Sequence, residues 1–346
     1  MGRPAQKIRI AIDAMGGDYA PQEIVKGAVE AARSDQRLVP ILVGPIEVIR
    51  KELAECDADG LDIHCLHADD FIKEEENPAL AVRRKPNLSI SVATKLVKSG
   101  EAEALLGATA TGSLVASAIQ HLGMIDGIER PVIGGVLSRL TPTTVILDLG
   151  ANTDCKPQHL VNFAVIGMVY ARTLLDVPEP KVALLNIGKE GGKGNQLTRE
   201  TYTLLGKSGL NFIGNVEGDE ILSSRANVIV CDGFVGNSIL KFSESIGRII
   251  DSHIKSRLRD MPAVSGVTES SLNELVGLLA LPGAIGAGIL WGVDGLVAKT
   301  HGNSQAPMVA RRLGQVRRAA ERDVVGCLKS ELARVRKNLK LLDGNR

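Results

Sequence analysis

Short apolar, β-branched runs alternate with helical patterns along almost the whole chain, and this alternation limits the fold most. Ten such runs predict strands, at Ile8–Asp13, Val39–Gly44, Leu61–His67, Ala104–Ala108, Val132–Leu137, Thr144–Leu149, Val182–Ile187, Asn211–Val216, Asn227–Asp232 and Gly295–Lys299. The intervening patterns predict helices, for example at Pro21–Arg33, Ile46–Glu55, Leu88–Val97, Leu114–Leu122, Leu160–Leu175 and Asn195–Leu205. This order predicts an α/β fold with a mainly parallel sheet sandwiched by helices.

The chain contains no Pro-, Gly- or Ser-rich linker, although its 346 residues have the length of about two domains. We therefore predict one interwoven α/β domain over residues 5–342, with two lobes as its only internal division. The C-terminal third is more helical. From Val309 to Leu339 apolar residues recur every three or four positions, which predicts one long helix with one buried stripe.

The other positions of this predicted helix are strongly basic. Between Arg311 and Lys340, ten lysines and arginines stand against three acidic residues. We interpret the basic side as a solvated helix face. A docking surface for an acidic partner is the alternative, because surface charge steers partners of opposite charge.

Composition excludes several classes of protein. A net charge of +1 and an aromatic content of 3% argue against nucleic acid as a partner. The five scattered cysteines form no metal or disulfide pattern, which indicates free thiols, a cytoplasmic location and no metal site.

The uncharged segment Leu275–Val293 has the length of a membrane span, but it contains Pro282 and five glycines. We predict a buried helix end and loop there, with contact at a bilayer surface as the alternative.

Glycine-rich turns follow six of the predicted strands. Their sequences are "DAMGGD", "LLGATATGS", "DLGANTD", "NIGKEGGKGN", "CDGFVGN" and "AKTHGNS", and the interposed lysines are Lys156, Lys189, Lys193, Lys241 and Lys299. Because parallel strands end at one edge of a sheet, we expect these turns to converge in a cleft. Glycine allows close approach of backbone N–H groups, and helix N-termini favour anions, so the cleft suits phosphate. Tight βα turns without a ligand are the structural alternative.

Motifs of other enzyme classes are missing from the sequence. It contains no G-x-x-x-x-G-K-[ST], no G-x-G-x-x-G after a strand, no G-x-S-x-G and no H-E-x-x-H. These observations lead to an anion-binding α/β enzyme and go no further.

The segment Ala11–Pro21, "AIDAMGGDYAP", closely resembles the opening signature of the PlsX family, the phosphate acyltransferases of bacterial phospholipid synthesis. Further matches follow in the same order, at Ala81–Ser89, Gly127–Pro131, Leu147–Ala171, Leu184–Asn195, Asn211–Gly218, Cys231–Lys241 and Ala298–Ser304. Together they span residues 8 to 320, so the resemblance covers nearly the whole chain.

The resemblance implies a specific activity. Members of that family transfer a fatty acyl group from acyl carrier protein to inorganic phosphate, and a membrane glycerol-3-phosphate acyltransferase consumes the acyl phosphate. It also implies a fold like those of isocitrate/isopropylmalate dehydrogenases and phosphotransacetylases, a homodimer, peripheral contact with membrane, and neither cofactor nor metal. Two alternatives stay open: a phosphotransacetylase-like enzyme that uses acyl-coenzyme A, and a non-catalytic homologue that binds acyl carrier protein.

The site residues follow from the matched motifs. Phosphate is itself a nucleophile, so the protein needs only to hold the dianion and stabilise the developing oxyanion. The residues expected to catalyse are Asp13, Lys193, Asn237, Lys241 and His301. The residues expected to bind substrate are Gly16, Gly17, Asp18, Asn152, Asp154, Lys156, Asn195, Asp232, Gly233 and Gly236.

These residues have different expected roles. Lysines 193 and 241 would neutralise phosphate charge, whereas the glycine N–H groups at 16, 17 and 236 and the amides of Asn152 and Asn237 would stabilise the oxyanion. His301 would protonate the leaving thiolate, with a purely local hydrogen bond as the alternative.

The two carboxylates of the opening turn, Asp13 and Asp18, would not bind phosphate directly, because like charges repel. We expect one to orient a lysine or accept turn N–H groups, and the other to cap the helix that begins near Pro21. A role confined to the turn and the cap is the alternative.

Two departures from the family pattern concern the cleft. Thr109-Ala110-Thr111-Gly112 stands where the family usually has Gly-Asn-Thr-Gly, and Leu281-Pro282-Gly283-Ala284 stands where it has Tyr-Gly-Gly-Ala. The first removes a polar side chain and the second removes a hydroxyl.

Overall fold

Parallel strands lie at the centre of each of the two compact units into which the chain divides. Unit 1 comprises Met1–Pro131 and Ala287–Gly326, and unit 2 comprises Val132–Gly286 and Cys327–Arg346. Each unit is therefore assembled from two stretches that are far apart in sequence. The structure is a computed structural model that describes residues 7–72, 76–136, 141–259 and 288–343.

The described residues form twelve strands, ten α-helices and one short 3₁₀ helix at Gly218–Glu220. The strands are β1 (Ile8–Asp13), β2 (Leu38–Gly44), β3 (His64–His67), β4 (Ala104–Gly107), β5 (Val132–Ile133), β6 (Gly135–Val136), β7 (Val145–Leu147), β8 (Val182–Leu185), β9 (Phe212–Val216), β10 (Val228–Val230), β11 (Gly288–Trp291) and β12 (Leu296–Lys299). The helices are α1 (Gln22–Ser34), α2 (Ile46–Glu55), α3 (Pro78–Arg84), α4 (Ser89–Ser99), α5 (Thr111–His121), α6 (Pro157–Leu174), α7 (Gln196–Lys207), α8 (Gly233–Arg259), α9 (Ala306–Glu321) and α10 (Val324–Asp343).

The sheet of unit 1 has the strand order β3-β2-β1-β4-β12-β11. β1 runs parallel to β2 and β4, β12 runs parallel to β4, and β11 is antiparallel to β12. Five of the six residues of β1 are buried, as expected for a strand covered on both faces. The carboxyl ends of β1, β4 and β12 are therefore neighbours at one edge of the sheet.

Close helix packing covers this sheet. On α1, a Cβ atom at Gly27 would lie 2.8 Å from the carbonyl oxygen of Ala306 at the start of α9. Only glycine permits the two helices to approach so closely.

The sheet of unit 2 has the strand order β6-β7-β10-β8-β9, parallel throughout except for β6. Every residue of α6 from His159 to Ala171 is buried. A helix that is buried on all sides is expected to be mostly apolar around its circumference, and this stretch is apolar except for His159, Asn162 and the hydroxyl of Tyr170. A Cβ atom at Gly167 would overlap Val228 of β10, so glycine sets the distance between this helix and the sheet.

The prediction of an α/β fold with mainly parallel sheets and a helical C-terminal region is confirmed. All ten predicted strands overlap observed strands, and the predicted Val132–Leu137 is split into β5 and β6, with Leu137 outside the described residues. The single domain over residues 5–342 stays a prediction, and its first two residues also lie outside the described part.

The apolar segment Leu275–Val293 differs from the prediction where it is described. Gly288–Trp291 forms β11, which pairs with β12 through a turn at Gly292, so the predicted helix end and loop are wrong at these positions. Residues 275–287 of the segment, including the family departure at residues 281–284, lie outside the described residues. Among the described helices, none is both long enough and apolar enough to cross a membrane.

The single long helix predicted over the basic C-terminal region is also wrong. α9 ends at Glu321 and α10 begins at Val324, with Asp323 at a φ of 43° between them. The Gly326 N–H donates to the Asp323 carboxylate at 3.1 Å, so this aspartate caps the new helix. The apolar repeat continues across the break, because Ala320 and Val324 are four positions apart.

The basic face is only partly solvated. Arg312 and Arg317 are buried, whereas Arg311 and Arg318 are exposed. Arg317 forms an ion pair with Asp35 at 2.8 Å. These two arginines therefore belong to the interior of unit 1 and not to a docking surface.

Candidate active site

The opening turn of unit 1 is built around the buried carboxyl group of Asp13. This residue ends β1, and its Oδ1 accepts the Met15 N–H at 3.3 Å. A Cβ atom at Gly16 would lie 2.7 Å from Oδ2 of Asp13 and 2.9 Å from the Thr109 nitrogen, so no larger residue fits. Gly17 has a φ of +111°, a conformation that favours glycine. Asp13 thus accepts a turn N–H group, which is one of its two expected roles.

Burial also changes the acidity of Asp13. It raises the pKa of this carboxyl to about 6, while the Ser89 hydroxyl and the Met15 amide act in the opposite direction. A carboxyl that titrates near neutral pH beside a cavity is a candidate functional group.

A second loop of unit 1 follows β12 and packs on the opening turn. The Asp18 N–H donates to the Gly302 carbonyl at 2.8 Å, and the Thr300 N–H donates to the Gly107 carbonyl at 2.9 Å. His301 is exposed in this loop. The loop therefore holds the ends of β1, β4 and β12 together.

Lys299 brings a positive charge to this edge of the sheet. It lies opposite Gly107 in the register of β12 and β4 and is partly buried. Burial lowers the pKa of its ammonium group, and the charge of Asp18 acts in the opposite direction.

The expectation that one of the two carboxylates, Asp13 or Asp18, caps the helix near Pro21 is wrong. α1 begins at Gln22 after Pro21, and no side chain caps its N-terminus. The turn before the helix directs the Asp18 N–H to Gly302, which leaves its carboxylate beside Lys299 and not over the helix end.

A polar cavity of about 940 Å³ opens between these loops of unit 1. Its lining comes from the opening turn, the segment before α3, the start of α5 and the loop after β12: Met15, Gly16, Gly17, Asp18, Phe71, Ile72, Glu76, Pro78, Ala108, Thr109, Ala110, Thr111, Ser113, Lys299 and Gly302. α5 begins at this cavity, and Ala110 at its N-cap provides no side-chain hydrogen bond. The uncapped helix start and the lysine favour an anionic ligand.

In unit 2 the turn after β7 is organised by the buried Asp148. Its Oδ1 accepts the N–H groups of Gly150 at 3.1 Å and Ala151 at 3.0 Å. Its Oδ2 accepts the backbone N–H of Asn152 at 2.7 Å and the side-chain amide of the same residue at 2.8 Å. Burial raises the pKa of Asp148, and these hydrogen bonds act in the opposite direction.

The start of α8 packs directly on this turn. The Gly233 N–H donates to the Asn152 carbonyl at 2.7 Å, and Oδ1 of Asp232 accepts the Val235 N–H at 2.9 Å. A Cβ atom at Gly236 would collide with the Asp148 carbonyl oxygen. The Gly236 N–H donates to the Asp232 carbonyl at 3.0 Å. Glycine is therefore required for the close packing of this helix.

Asn237 lies on the same contact. A Cβ atom at Gly150, where φ is +125°, would lie 3.1 Å from the Cβ atom of Asn237. Asn152 is buried, whereas Asn237 is exposed. Cys231 is buried behind the turn, and burial raises the pKa of its thiol, which keeps it protonated and a poor nucleophile.

The remaining predicted residues of unit 2 lie on its surface. Lys193 is exposed in the loop after β8, and Lys241 is exposed on α8 in an ion pair with Glu244 at 2.9 Å. Asn195 caps α7 by accepting the Thr198 N–H at 2.9 Å. Asp154 and Lys156 are exposed before α6.

Unit 2 also contains an apolar cavity of about 840 Å³ that the sequence analysis missed. Its lining is mainly aliphatic and aromatic, from the ends of β8 and β10, the start of α7 and one face of α8: Leu160, Leu184, Leu185, Asn186, Ile187, Gly194, Asn195, Thr198, Gly218, Ile221, Leu222, Cys231, Asp232, Val235, Ile239, Phe242, Ser243 and Ile246. The signal was the run Val235, Ile239, Phe242, Ile246, whose steps of three and four define one apolar helix face.

The structure thus brings the predicted residues into groups within each unit. Asp13, Gly16, Gly17, Asp18 and His301 belong to unit 1, and the other ten belong to unit 2. The predicted convergence of all six loops in one cleft concerns the placement of the two units, so it stays a prediction. The catalytic and binding roles stay predictions as well.

Comparison with known proteins gives consistent results. The family model described as "Fatty acid synthesis protein" matches residues 8–326. A phosphate acyltransferase of Pelotomaculum thermopropionicum is 44% identical over 330 residues, covering 94% of this chain and 95% of that protein. A phosphate acyltransferase of Desulforamulus reducens is 42% identical over 328 residues, covering 94% and 97%.

Among solved structures, the fold is similar to that of the EutD phosphotransacetylase from Staphylococcus aureus. That similarity has a TM-score of 0.58 at 17% identity and covers 91% of this chain and 94% of the other. A phosphotransacetylase from Streptococcus pyogenes gives the same TM-score of 0.58 and the same coverage at 19% identity. At this level of identity the similarity concerns the fold alone.

Proposed function

The chain belongs to the fatty acid synthesis protein family, in which its closely similar relatives are phosphate acyltransferases, and on this premise we propose that it transfers a fatty acyl group from acyl carrier protein to inorganic phosphate. The chain is an acyltransferase. In the proposed reaction a phosphate oxygen attacks the thioester carbonyl, the carbon–sulfur bond breaks, and acyl phosphate and the carrier thiol leave.

The apolar cavity of unit 2 is the observation that carries this proposal. Its volume of about 840 Å³ lies in the usual range for ligand pockets, and aliphatic side chains dominate its lining. Burial of each methylene group is worth about 0.8 kcal/mol, so such a cavity binds a long acyl chain more tightly than an acetyl group. Asn186, Asn195 and Asp232 provide polar groups in the same lining, suited to the carbonyl end of the chain.

The chemical step needs no covalent intermediate with the enzyme. Cys231 lies in the apolar cavity, but its thiol is held neutral by burial, which argues against an acyl-cysteine. Catalysis then consists of holding the phosphate and stabilising charge on the thioester oxygen. For these tasks we retain Lys193, Lys241 and Asn237 as proposed charge and hydrogen-bond donors, and His301 as proposed acid for the thiolate.

The proposal that the acyl donor is a carrier protein depends on the surface charge of α10. On α10, Lys329, Lys337 and Lys340 are exposed. A row of cations on one helix favours an acidic protein over a small thioester, because complementary charge steers association.

The test supplies the purified protein with inorganic phosphate and either palmitoyl-acyl carrier protein or palmitoyl-coenzyme A. Acyl phosphate is detected by phosphorus NMR and by trapping with hydroxylamine. We expect product with the carrier protein and a much lower kcat/KM with coenzyme A. Product from coenzyme A alone would instead establish the phosphotransacetylase-like activity. Binding of the carrier without product at saturating phosphate would establish a non-catalytic binding protein.

We further propose a homodimer in the cytoplasm that touches the membrane peripherally and supplies acyl phosphate to a membrane glycerol-3-phosphate acyltransferase. Exposed apolar side chains on α8 support this proposal, because a partner subunit or a membrane could cover them. Phe234 is 68% exposed, Phe242 69% and Ile249 65%. Light scattering at several protein concentrations measures the dimer, and flotation with anionic lipid vesicles measures membrane contact.

A further inference from the structure

Within the part of the chain that the structure describes, the start of α5 in unit 1 presents backbone N–H groups with no protein acceptor. The first N–H groups of a helix have no partner inside the helix. The N–H groups of Ser113 and Leu114 turn back to the Ala110 carbonyl at 3.0 and 3.2 Å. Ala110 has no polar side chain with which to cap the helix. Among the described residues the exposed amides of Thr111 and Gly112 thus have no acceptor and can donate to a ligand in the polar cavity.

The hydroxyl group of Ser113 is a second, independent sign of a missing ligand. Ser113 is fully buried and lines this cavity, yet among the described residues its Oγ has no hydrogen-bond partner. Ser117, one turn further along α5, is equally buried, but its hydroxyl pairs with that of Thr94 at 2.8 Å. A buried hydroxyl without a partner is unfavourable unless a bound molecule completes its hydrogen bonds.

Lys299 provides the charge that such a ligand requires. It lines the same cavity from the neighbouring strand β12, and its ammonium group donates to the Thr300 carbonyl at 3.2 Å. An ammonium group has three donors, so two are not used by this bond. Of the acidic residues in the lining, Glu76 is paired with Lys85 at 2.7 Å, and the exposed carboxylate of Asp18 offsets part of the Lys299 charge.

We propose that the start of α5 binds the phosphate dianion, with the amides of Thr111 and Gly112, the hydroxyl of Ser113 and the ammonium group of Lys299 as its donors. The proposal rests on the proposed function in so far as inorganic phosphate is the acceptor substrate. A phosphate monoester offers the same chemistry, and the cavity of about 940 Å³ has room for a larger group. Phosphopantetheine, which is a monoester in the free compound and whose phosphate becomes a diester in the arm of a carrier thioester, is therefore the competing source.

The experiment measures binding of inorganic phosphate and of phosphopantetheine, each alone, to the full chain by calorimetry. The variants are Ser113→Ala and Lys299→Gln. Loss of one hydrogen bond to a charged ligand corresponds to about tenfold weaker binding, so each variant is expected to raise the Kd for inorganic phosphate by about tenfold or more. Ser117→Ala is the matched control, since its hydroxyl is satisfied inside the protein, and it should leave this Kd unchanged.

Thermal unfolding separates a ligand-binding role from a structural one. Phosphate that binds only the folded protein raises Tm by mass action. We expect this increase in the original protein and in Ser117→Ala, and its loss in Ser113→Ala and Lys299→Gln. Without phosphate, Ser113→Ala should be at least as stable as the original protein, because it removes an unpaired buried hydroxyl.

The other outcomes separate this binding site from the proposed function. Unchanged phosphate affinity in Ser113→Ala and Lys299→Gln would remove α5 from phosphate binding, and the proposed function would survive if acyl phosphate still forms. Tighter binding of phosphopantetheine, with no binding of inorganic phosphate, would assign the cavity to the donor. Lost phosphate binding in the variants, together with no acyl phosphate from any donor, would support this site but refute the proposed reaction.

Discussion

Asn152 donates two hydrogen bonds to one carboxylate oxygen of Asp148, one from its backbone at 2.7 Å and one from its side chain at 2.8 Å. With the N–H groups of Gly150 and Ala151 on the other oxygen, the carboxylate fixes the whole turn after β7. The turn supports the start of α8, because the Asn152 carbonyl accepts the Gly233 N–H. The buried carboxylate of Asp148 therefore helps to position the predicted residues in the turn after β7 and at the start of α8.

Asp148→Asn should destabilise the protein strongly. An amide NH₂ group would face two N–H donors of Asn152, and each lost hydrogen bond to a charged group is worth about 1.5–3 kcal/mol. We expect a loss of about 3 kcal/mol or more in the free energy of unfolding, measured in urea. Asp154→Asn, an exposed change in the same loop, is the control and should alter that free energy by no more than about 0.5 kcal/mol.

Asp13→Asn should change how stability depends on pH. Burial raises the pKa of Asp13 to about 6, above the value of about 3.9 in an unfolded chain. The protonated carboxyl therefore favours the folded state below about pH 4, and this contribution is lost as the pH rises through about 6. At about 1.4 kcal/mol per pKa unit the loss is roughly 3 kcal/mol.

Urea unfolding between pH 4 and pH 8 measures this effect. The asparagine variant cannot ionise, so it should be more stable than the original protein at pH 8 and should lose less stability between pH 4 and pH 8. Parallel profiles for the two proteins would show that the pKa of Asp13 is the same in the folded and the unfolded protein, which would contradict this prediction. Unchanged turnover in the variant would also remove Asp13 from the mechanism.

Gly236→Ala should prevent normal packing of α8. Its Cβ atom would collide with the Asp148 carbonyl oxygen, which is backbone and cannot turn aside. We expect a large fall in Tm and loss of acyl phosphate formation. Gly206→Ala on α7 is the matched control, because a Cβ atom there meets nothing within 4 Å. Since alanine is the better helix former, this control should gain up to about 1 kcal/mol.

Ile239→Trp should shorten the preferred acyl chain. The larger side chain would fill part of the apolar cavity of unit 2, so long chains lose buried methylene groups while short chains lose few. At about 0.8 kcal/mol each, every excluded methylene should lower kcat/KM about fourfold. The measurement compares kcat/KM for donors of increasing chain length. Met308→Trp, at an exposed position of α9, controls for the added indole and should not alter the order of preference.

Cys231→Ala should retain acyl transfer to phosphate. Its thiol is buried and held neutral, so direct attack by phosphate predicts a kcat within severalfold of the original value. In the folded original protein, iodoacetamide should label Cys231 far more slowly than in urea. Loss of turnover in this variant, together with a trapped acyl-cysteine in the original protein, would contradict the direct mechanism.

The strands and helices were the most predictable features, because periodicity is local. The bounds of β1 and α2 agree with the prediction at both ends. The break between α9 and α10 was not predictable from periodicity, since the apolar steps continue across Asp323. β11 was missed because its apolar run contains glycine, and its pairing with β12 is a tertiary interaction that composition does not show.

The candidate site was predictable in its glycines and less so in its polar groups. At Gly16 and Gly236 a Cβ atom would collide with the backbone, so only glycine fits, and these glycines can be seen in the sequence. Whether a serine is buried without a partner depends on the surrounding helices, so Ser113 could not be distinguished from Ser117. One of Asp13 and Asp18 was expected to cap the helix that begins near Pro21, whereas no side chain caps α1 and the Asp18 N–H donates to the Gly302 carbonyl.

Both units are assembled from two distant stretches of chain, and this has a consequence during synthesis on the ribosome. β4 acquires its neighbour β12, and α1 acquires α9, only after the intervening unit 2 segment has been made. Until then the nascent N-terminal residues carry an open strand edge, a feature that invites mispairing. Completion of the first sheet therefore waits for the synthesis of β12, and a stalled or truncated product ending before β12 should depend on chaperones to stay out of aggregates.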